Sequence, residues 1–275
     1  MEQIVDAHAH IYHEDEGRYP MIEKPYRPSA GIGTIGHLRR EMEENGAARA
    51  VLVQTGSAYK WDNRLLGDMA SANRDWAVGV CTLDPTATES VRELERLVQG
   101  FNVKGVRMER TPAGFHHEGS ERLWAAALRL EVVICAHIHL EHLGELAALL
   151  GKFPEVPVVL DHCAYPDVSR GVEDETVRQV CALAGNRQLR VKLTFGVTGS
   201  QMEYPFRDSQ PLLRKIIAAF GPERCMWGSD FPCEHWLKKA TYEQHLNLFR
   251  QELGLSSGEQ EAILSVAPMA VWFGG

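Results

Sequence analysis

Eight short apolar runs recur along the chain, and a stretch with the pattern of an amphipathic helix separates each from the next. The runs are rich in Val, Ile and Leu and alternate little with polar residues, which is typical of strands covered on both faces. They lie at residues 3–10, 48–55, 76–83, 103–108, 131–138, 156–162, 189–195 and 224–230. We therefore expect eight parallel strands.

The order of these patterns favours a closed barrel over an open sheet. An open doubly wound sheet typically has a glycine-rich phosphate-binding turn after its first strand, whereas this chain has AHAHIYHEDEG at that position. Two more helical patterns, at 240–254 and 257–274, follow the last apolar run. The unbroken βα series predicts an α/β fold, a single (β/α)8 TIM barrel domain over residues 1–275 with extra C-terminal helices.

A long segment with neither helical nor strand pattern, residues 11–34, follows the first predicted strand. Loops of this length in compact domains are commonly lids or substrate-binding loops. We therefore expect Tyr19 to contact substrate, with packing at the surface as the alternative for this side chain.

Composition narrows the classes of function. The formal net charge of −8 argues against a nucleic-acid partner, because phosphate binding needs a basic surface. No apolar run is long enough to predict a membrane span, and the six cysteines include no C-x-x-C pair. We expect a cytoplasmic protein that acts on a small molecule, and self-association into a homo-oligomer stays open.

Titratable residues cluster where the predicted strands end. In a TIM barrel these ends surround one mouth, which is where the active site lies. A single histidine there is more often a packing residue than a ligand, but the whole set is harder to explain by packing. Its members are His8, His10, Arg107, Glu109, His137, His139, His162, Lys192 and Asp230.

Histidines and an aspartate at one barrel mouth predict a metal site. Imidazole and carboxylate are ligands that Zn²⁺ prefers, and the pair His8 and His10 offers two ligands from one strand. A buried aspartate beside such a metal can take a proton from water. For Lys192, pairing with a carboxylate inside the barrel is as good an interpretation as a catalytic role.

Five segments carry a resemblance to a known family: DAHAHI (6–11), KGVRM (104–108), FPEVPVVLDHCAYPD (153–167), VKLTFG (191–196) and MWGSDFP (226–232). Over nearly its whole length the chain resembles the amidohydrolase superfamily, specifically the amidohydrolase-related group of lactonases and decarboxylases. The resemblance implies a TIM barrel with one divalent metal, and we expect Zn²⁺. It implies that the ligands are His8, His10, a strand-5 histidine and Asp230.

The resemblance also implies roles for the residues around that metal. His162 faces the reacting water or the substrate, and Arg107 binds a substrate carboxylate, with neutralisation of Glu109 or Asp161 as its alternative role. Both His137 and His139 are candidates for the strand-5 ligand and for substrate binding, and the run VVICAH favours His137 as the ligand. Some lactonases of this group look metal-free, and that alternative stays open.

The function implied is hydrolysis of a carboxylated or sugar-derived lactone, with Asp230 as general base and acid and His162 as a second catalytic residue. The first alternative is a metal-dependent, non-oxidative decarboxylase of an aromatic or muconate-like acid. A barrel that binds a ligand without catalysis is the second.

Overall fold

Eight parallel strands form the centre of the structure, a computed structural model that describes residues 3–233 and 240–274. The strands follow one another around a single sheet in chain order. They are β1 Ile4–Ala9, β2 Ala47–Val53, β3 Ala77–Thr82, β4 Val103–Glu109, β5 Val133–His137, β6 Val158–Leu160, β7 Leu189–Lys192 and β8 Cys225–Met226. Each overlaps one of the eight predicted runs, and the predicted (β/α)8 barrel is confirmed.

Backbone hydrogen bonds join the segment that begins with β8 to β1 and so close the barrel. Ala7 N donates to Trp227 O at 3.1 Å, and Asp230 N donates to the carbonyl of His8 at 2.9 Å. The buried Asp6 carboxylate reinforces this seam, because it accepts hydrogen bonds from both the backbone N–H and the hydroxyl of Ser229, at 2.9 and 2.6 Å. The end of β1 is thereby fixed to the segment that carries Asp230.

Helices cover the outside of the barrel and continue beyond β8, as predicted. They are α1 Ile35–Asn45, α2 Gly56–Tyr59, α3 Arg64–Ala72, α4 Ser90–Gly100, α5 Glu118–Leu130, α6 Leu143–Lys152, α7 Glu175–Ala182, α8 Phe195–Thr198, α9 Gln210–Phe220, α10 Tyr242–Asn247, α11 Ser257–Glu261 and α12 Ala267–Trp272. At α1, the Thr34 side chain caps the first turn, and Gly46 takes the left-handed conformation just past the last. Within the described part of the chain, no helix is long and apolar enough to cross a membrane.

Apolar side chains pack in two layers. The larger layer lies between the strands and the surrounding helices. The smaller one fills the barrel with short aliphatic side chains from the strands, including Val51, Val78 and Val133, together with Trp272 of α12. We call this second cluster the floor. The polar residues that end the strands lie above it.

Several strands are shorter than predicted, and β6 and β8 end just before predicted site residues. Strand β6 stops at Leu160 because Asp161–Ala164 form a 3-10 turn, in which His162 and Cys163 have φ of 51° and 49°. Strand β8 stops at Met226, four residues before Asp230, which has φ of 54°. In both cases the chain leaves the extended conformation where the predicted site residues lie.

Candidate active site

A cavity of about 370 Å³ opens at the carboxyl ends of the strands. The titratable residues that line it come from β4, β5 and the segments that follow β1, β6 and β8, so residues far apart in the sequence share one wall. They are His10, Arg107, Glu109, His137, His162 and Asp230.

His8, His10 and Asp230 form a compact group at the base of this cavity. The Nε2 atoms of the two histidines lie 3.2 Å apart, and Asp230 Oδ1 lies 3.6 Å from the first and 3.5 Å from the second. Asp6 and Ala9 of β1 pair with Ala50 and Leu52 of β2. Three residue steps along β1 therefore match two along β2, so β1 contains a bulge. Bulges of this kind redirect side chains beside active sites, and this one lies at His8.

A buried ion network lies beneath the group. Lys192 Nζ lies 3.0 Å from Asp161 Oδ1 and 3.1 Å from His8 Nδ1, and Arg107 Nε donates to Asp161 Oδ2 at 2.9 Å. Both Lys192 and Asp161 are completely buried. An ammonium group can only donate, so His8 Nδ1 accepts this hydrogen bond and the ring carries its proton on Nε2.

The surroundings keep His8 and His162 neutral and Asp230 ionised. Burial, and then the charge of Lys192, lower the pKa of His8 well below its ordinary value, and burial lowers the pKa of His162 to about 3. Burial would raise the pKa of Asp230, but contacts with His10 and His162 and the charge of Arg107 lower it to about 2. At neutral pH the site therefore offers imidazole lone pairs beside a carboxylate.

A left-handed turn places His162 and Tyr165 at the cavity wall. The four residues 162–165 have φ between 49° and 59°, a strained conformation for residues other than glycine. The rings of His162 and Tyr165 face each other with centroids 4.8 Å apart. Such strain concentrates at functional sites, where the surrounding structure enforces it.

His137 lies in the same cavity but outside the group of His8, His10 and Asp230. Its Nδ1 is 3.3 Å from Glu109 Oε1, and its Nε2 is 2.7 Å from the Tyr165 hydroxyl. Both ring nitrogens therefore have protein partners, which differs from the expectation that His137 ligates a metal. The side chain of His139 is exposed and stacks on the far side of this arrangement, with its ring 4.7 Å from that of Tyr165.

The expectation that Tyr19 contacts substrate is not supported by its position. Tyr19 is buried, its hydroxyl donates to Asp68 Oδ2 at 2.7 Å, and its ring packs against His13. It lines a different cavity, together with residues of α3 and α4. At Tyr19 the loop 11–34 therefore lies against α3, where Asp68 accepts the hydrogen bond of the phenol.

The comparison with protein families agrees with this geometry. The model of the amidohydrolase family matches residues 5–274, which is nearly the whole chain. The chain belongs to the amidohydrolase family.

Curated relatives of this amidohydrolase act on lactones. Over 248 residues it is 29% identical to a 2-pyrone-4,6-dicarboxylate hydrolase from Comamonas testosteroni, covering 83% of this chain and 76% of the relative. It is 25% identical over 236 residues to an L-fucono-1,5-lactonase from Burkholderia ambifaria, with 83% and 80% covered. A crystal structure of an amidohydrolase from Burkholderia multivorans with bound zinc shares the fold, with a TM-score of 0.80, 20% identity and 98% and 99% coverage.

The donor atoms of this amidohydrolase fit a divalent metal. His8, His162 and Asp230 each offer one ligand atom, and these atoms lie within 4.8 Å of one another. The separations of 3.2 to 3.6 Å among His8, His10 and Asp230 match those of ligands on one tetrahedral zinc, about 3.4 Å. His10 Nδ1 lies 2.9 Å from Val53 O, an outer contact that commonly orients a metal-binding imidazole.

Sequence reasoning missed several residues of the cavity. Tyr165 belongs to the segment DHCAYPD, but only the left-handed turn brings its ring beside His162 and His137. Thr55 lines the cavity from the residues between β2 and α2, and Thr198 lines it from α8, which follows β7. Their position just beyond strand ends was the available signal, and their common residue types gave it little weight.

Proposed function

We propose that this amidohydrolase hydrolyses a lactone, with Asp230 as general base and then general acid. The observation that carries the proposal is an ionised carboxylate, 3.5 and 3.6 Å from two imidazole nitrogens, at the base of a cavity with a buried ion network beneath it. The curated relatives named above act on a pyrone dicarboxylate and a fuconolactone, and both reactions open a cyclic ester.

In the proposed reaction Asp230 accepts a proton from a water molecule whose oxygen bonds to the lactone carbonyl carbon. The bond between this carbon and the ring oxygen then breaks. Asp230 returns its proton to the leaving ring oxygen, which gives an open hydroxy acid. The low pKa of Asp230 keeps the carboxylate ionised at neutral pH, so it is ready to accept the first proton.

Negative charge develops on the carbonyl oxygen during the attack, and two residues of the wall can stabilise it. Arg107 uses Nε for its hydrogen bond to Asp161, which holds the guanidinium at the cavity. His162, whose pKa is low, is a neutral imidazole that can donate from one ring nitrogen. The strained turn fixes the position of that ring before substrate binds.

We also propose one divalent metal, Zn²⁺, held by His8, His10 and Asp230 with His162 adjacent. Bound there, it would supply Lewis-acid polarisation of the carbonyl. His137 is left out of this ligand set because its nitrogens contact Glu109 and Tyr165. Because neutral His8 carries its proton on Nε2, metal uptake at that atom would require the proton to move to Nδ1, which lies 3.7 Å from Asp161 Oδ1.

Elemental analysis of the purified protein tests the metal directly. We expect about one equivalent of zinc, and loss of activity on chelation that added zinc restores. Full activity in protein shown to be metal-free would contradict the metal proposal and would assign the reaction to the side chains alone.

A lactone panel tests the reaction itself. With a pH indicator, each ring opened should release one proton at neutral pH, and no CO₂ should form. The corresponding open hydroxy acids serve as controls and should release none. Formation of CO₂ from an aromatic or muconate-like acid, without hydrolysis of any lactone, would instead identify a decarboxylase. Tight binding of lactones without turnover would indicate a binding protein.

We further infer a single catalytic domain over residues 1–275 and a cytoplasmic location. The family match to residues 5–274 supports the first. Five of the six cysteines are buried, as expected of thiols that pack as small apolar side chains in a reducing compartment. Fractionation of cells that produce the protein tests the location.

A further inference from the structure

The metal proposed above would offset the charge of Asp230, so the charge of the remaining cavity wall depends on Arg107 and Glu109. Within residues 3–233 and 240–274, Arg107 is the one side chain with a permanent positive charge that lines it, whereas Glu109 and Asp230 both contribute carboxylates. Beneath the wall, the charges of Lys192 and Arg107 already face the carboxylate of Asp161. The positive charge of Arg107 is therefore shared before any substrate arrives.

Glu109 is held in its ionised form by its neighbour. His137 donates from Nδ1 to Glu109 Oε1 at 3.3 Å, and this hydrogen bond lowers the pKa of Glu109. One third of the Glu109 side chain is exposed at the cavity wall. Its Oε1 lies 3.4 Å from the position that a Cβ added to Gly56 would occupy, so the two residues are neighbours. A carboxylate has about four lone-pair positions, so Glu109 can accept hydrogen bonds from a ligand as well.

Two threonine hydroxyls of the wall are also arranged as acceptors. Thr55 Oγ1 donates its proton to Ile11 O at 2.9 Å, and Thr198 Oγ1 donates to Thr194 O at 3.4 Å. Each hydroxyl therefore presents lone pairs rather than a proton to the cavity. A wall rich in acceptors and poor in cations suits a ligand that donates hydrogen bonds. It suits poorly a ligand that carries several carboxylates.

We propose that Glu109 determines specificity by accepting a hydrogen bond from a ring hydroxyl and repelling substrate carboxylates, so that the enzyme prefers uncharged polyhydroxylated lactones. The inference rests on the proposed lactonase function and narrows its substrate class. It separates this chain from its relative that hydrolyses 2-pyrone-4,6-dicarboxylate, a substrate with two carboxylates.

Three lactones of increasing charge test the proposal on the unmodified enzyme. Galactonolactone and galactarolactone share a ring and differ in a terminal hydroxymethyl or carboxylate group, and 2-pyrone-4,6-dicarboxylate adds a second carboxylate. We expect kcat/KM to fall by about tenfold at each step, since like charges in a confined cavity repel. A preference for the dicarboxylate would overturn the proposal and leave the lactonase function intact. If none of the three is opened but another lactone of the panel is, this inference fails and the lactonase function stands; if no lactone of the panel is opened, both fail.

Glu109→Gln then assigns the selectivity to one residue. The amide keeps the size of the side chain and removes its charge, so the ratio of kcat/KM for galactonolactone over galactarolactone should fall about fivefold to tenfold. Glu118→Gln is the matched control, because that carboxylate is 89% exposed on α5, outside the cavity. An unchanged ratio in Glu109→Gln, with a melting temperature like that of the wild type, would overturn the assignment to Glu109.

Discussion

The floor of the barrel and its mouth are built from the same strands but hold together in different ways. Below, short aliphatic side chains and Trp272 fill the interior mainly by apolar packing. Above, Lys192, Asp161 and His8 are equally buried, but Lys192 forms an ion pair with Asp161 and a hydrogen bond with His8. The comparison teaches that the mouth can be inactivated without unfolding the chain, whereas the floor can be weakened without touching the chemistry.

The largest effect should follow from Asp230→Asn at the mouth. Losing the general base should lower kcat by about 10³-fold, equivalent to about 4 kcal/mol in the barrier, while the free energy of unfolding stays close to that of the wild type. Steady-state kinetics and urea denaturation measure the two. Asp75→Asn, at an exposed aspartate on the outside, is the control. Turnover within tenfold of the wild type would remove Asp230 from the mechanism.

Lys192→Met should destabilise the protein by about 4 kcal/mol, because it leaves the buried Asp161 with Arg107 as its remaining cation partner. Burial would raise the pKa of Asp161, but the charges of Lys192 and Arg107 hold it well below its usual value. The stabilisation is therefore present above the unfolded-state pKa of about 4 and is lost as the pH falls further.

Urea denaturation at neutral pH and in acid measures this effect. The difference in unfolding free energy between Lys192→Met and the wild type should shrink in acid, as Asp161 is protonated. A difference that stays constant with pH would show that Lys192 contributes by packing, as the floor does.

Trp272→Ala, in the floor, should destabilise the protein by about 3 kcal/mol through the cavity it leaves. Turnover per folded molecule should stay within about twofold of the wild type, since Trp272 is not among the residues that line the cavity. Trp61→Ala serves as the control, because that indole is partly exposed at the surface. A large fall in kcat would show that the floor and the mouth are coupled, through the ring that lies 5.6 Å from Lys192 Nζ.

The smallest effect should come from Tyr19→Phe. The variant loses the hydrogen bond to Asp68, which should cost about 1 kcal/mol of stability, and KM should not change. Thermal denaturation and steady-state kinetics suffice to test this. A severalfold rise in KM would show that the loop 11–34 reaches the substrate, as the sequence led us to expect.

The fold was predictable because its signal repeats. Eight apolar runs spaced by amphipathic stretches leave few topologies, and each run overlaps an observed strand. The limits of β6 and β8 were not predictable, because Asp161–Ala164 and the segment around Asp230 leave the extended conformation for reasons of tertiary contact. The left-handed positions themselves, 162–165 and 230, are not occupied by glycine, so residue type does not mark those two departures.

The site was predictable where it depends on strand ends, and less so where it depends on loops. His8, His10, Arg107, His162 and Asp230 lie together because parallel strands end at one rim. The contact between His137 and Tyr165 depends on a left-handed turn that the residue types do not predict. The position of Tyr19 depends on its contact with α3, which is distant in the sequence. Side-chain placement on loops is fixed by packing partners far away in the chain.

The hydrogen bonds between Asp6 and Ser229 carry a consequence for the synthesis of the protein. His8 and His10 are synthesised with the first strand, whereas Asp230 follows more than two hundred residues later. A growing or truncated chain that lacks the segment after β8 therefore has histidines but no base. Catalytic competence should arrive abruptly, once the segment that carries Asp230 has been made, and premature termination before that point should leave no partial enzyme.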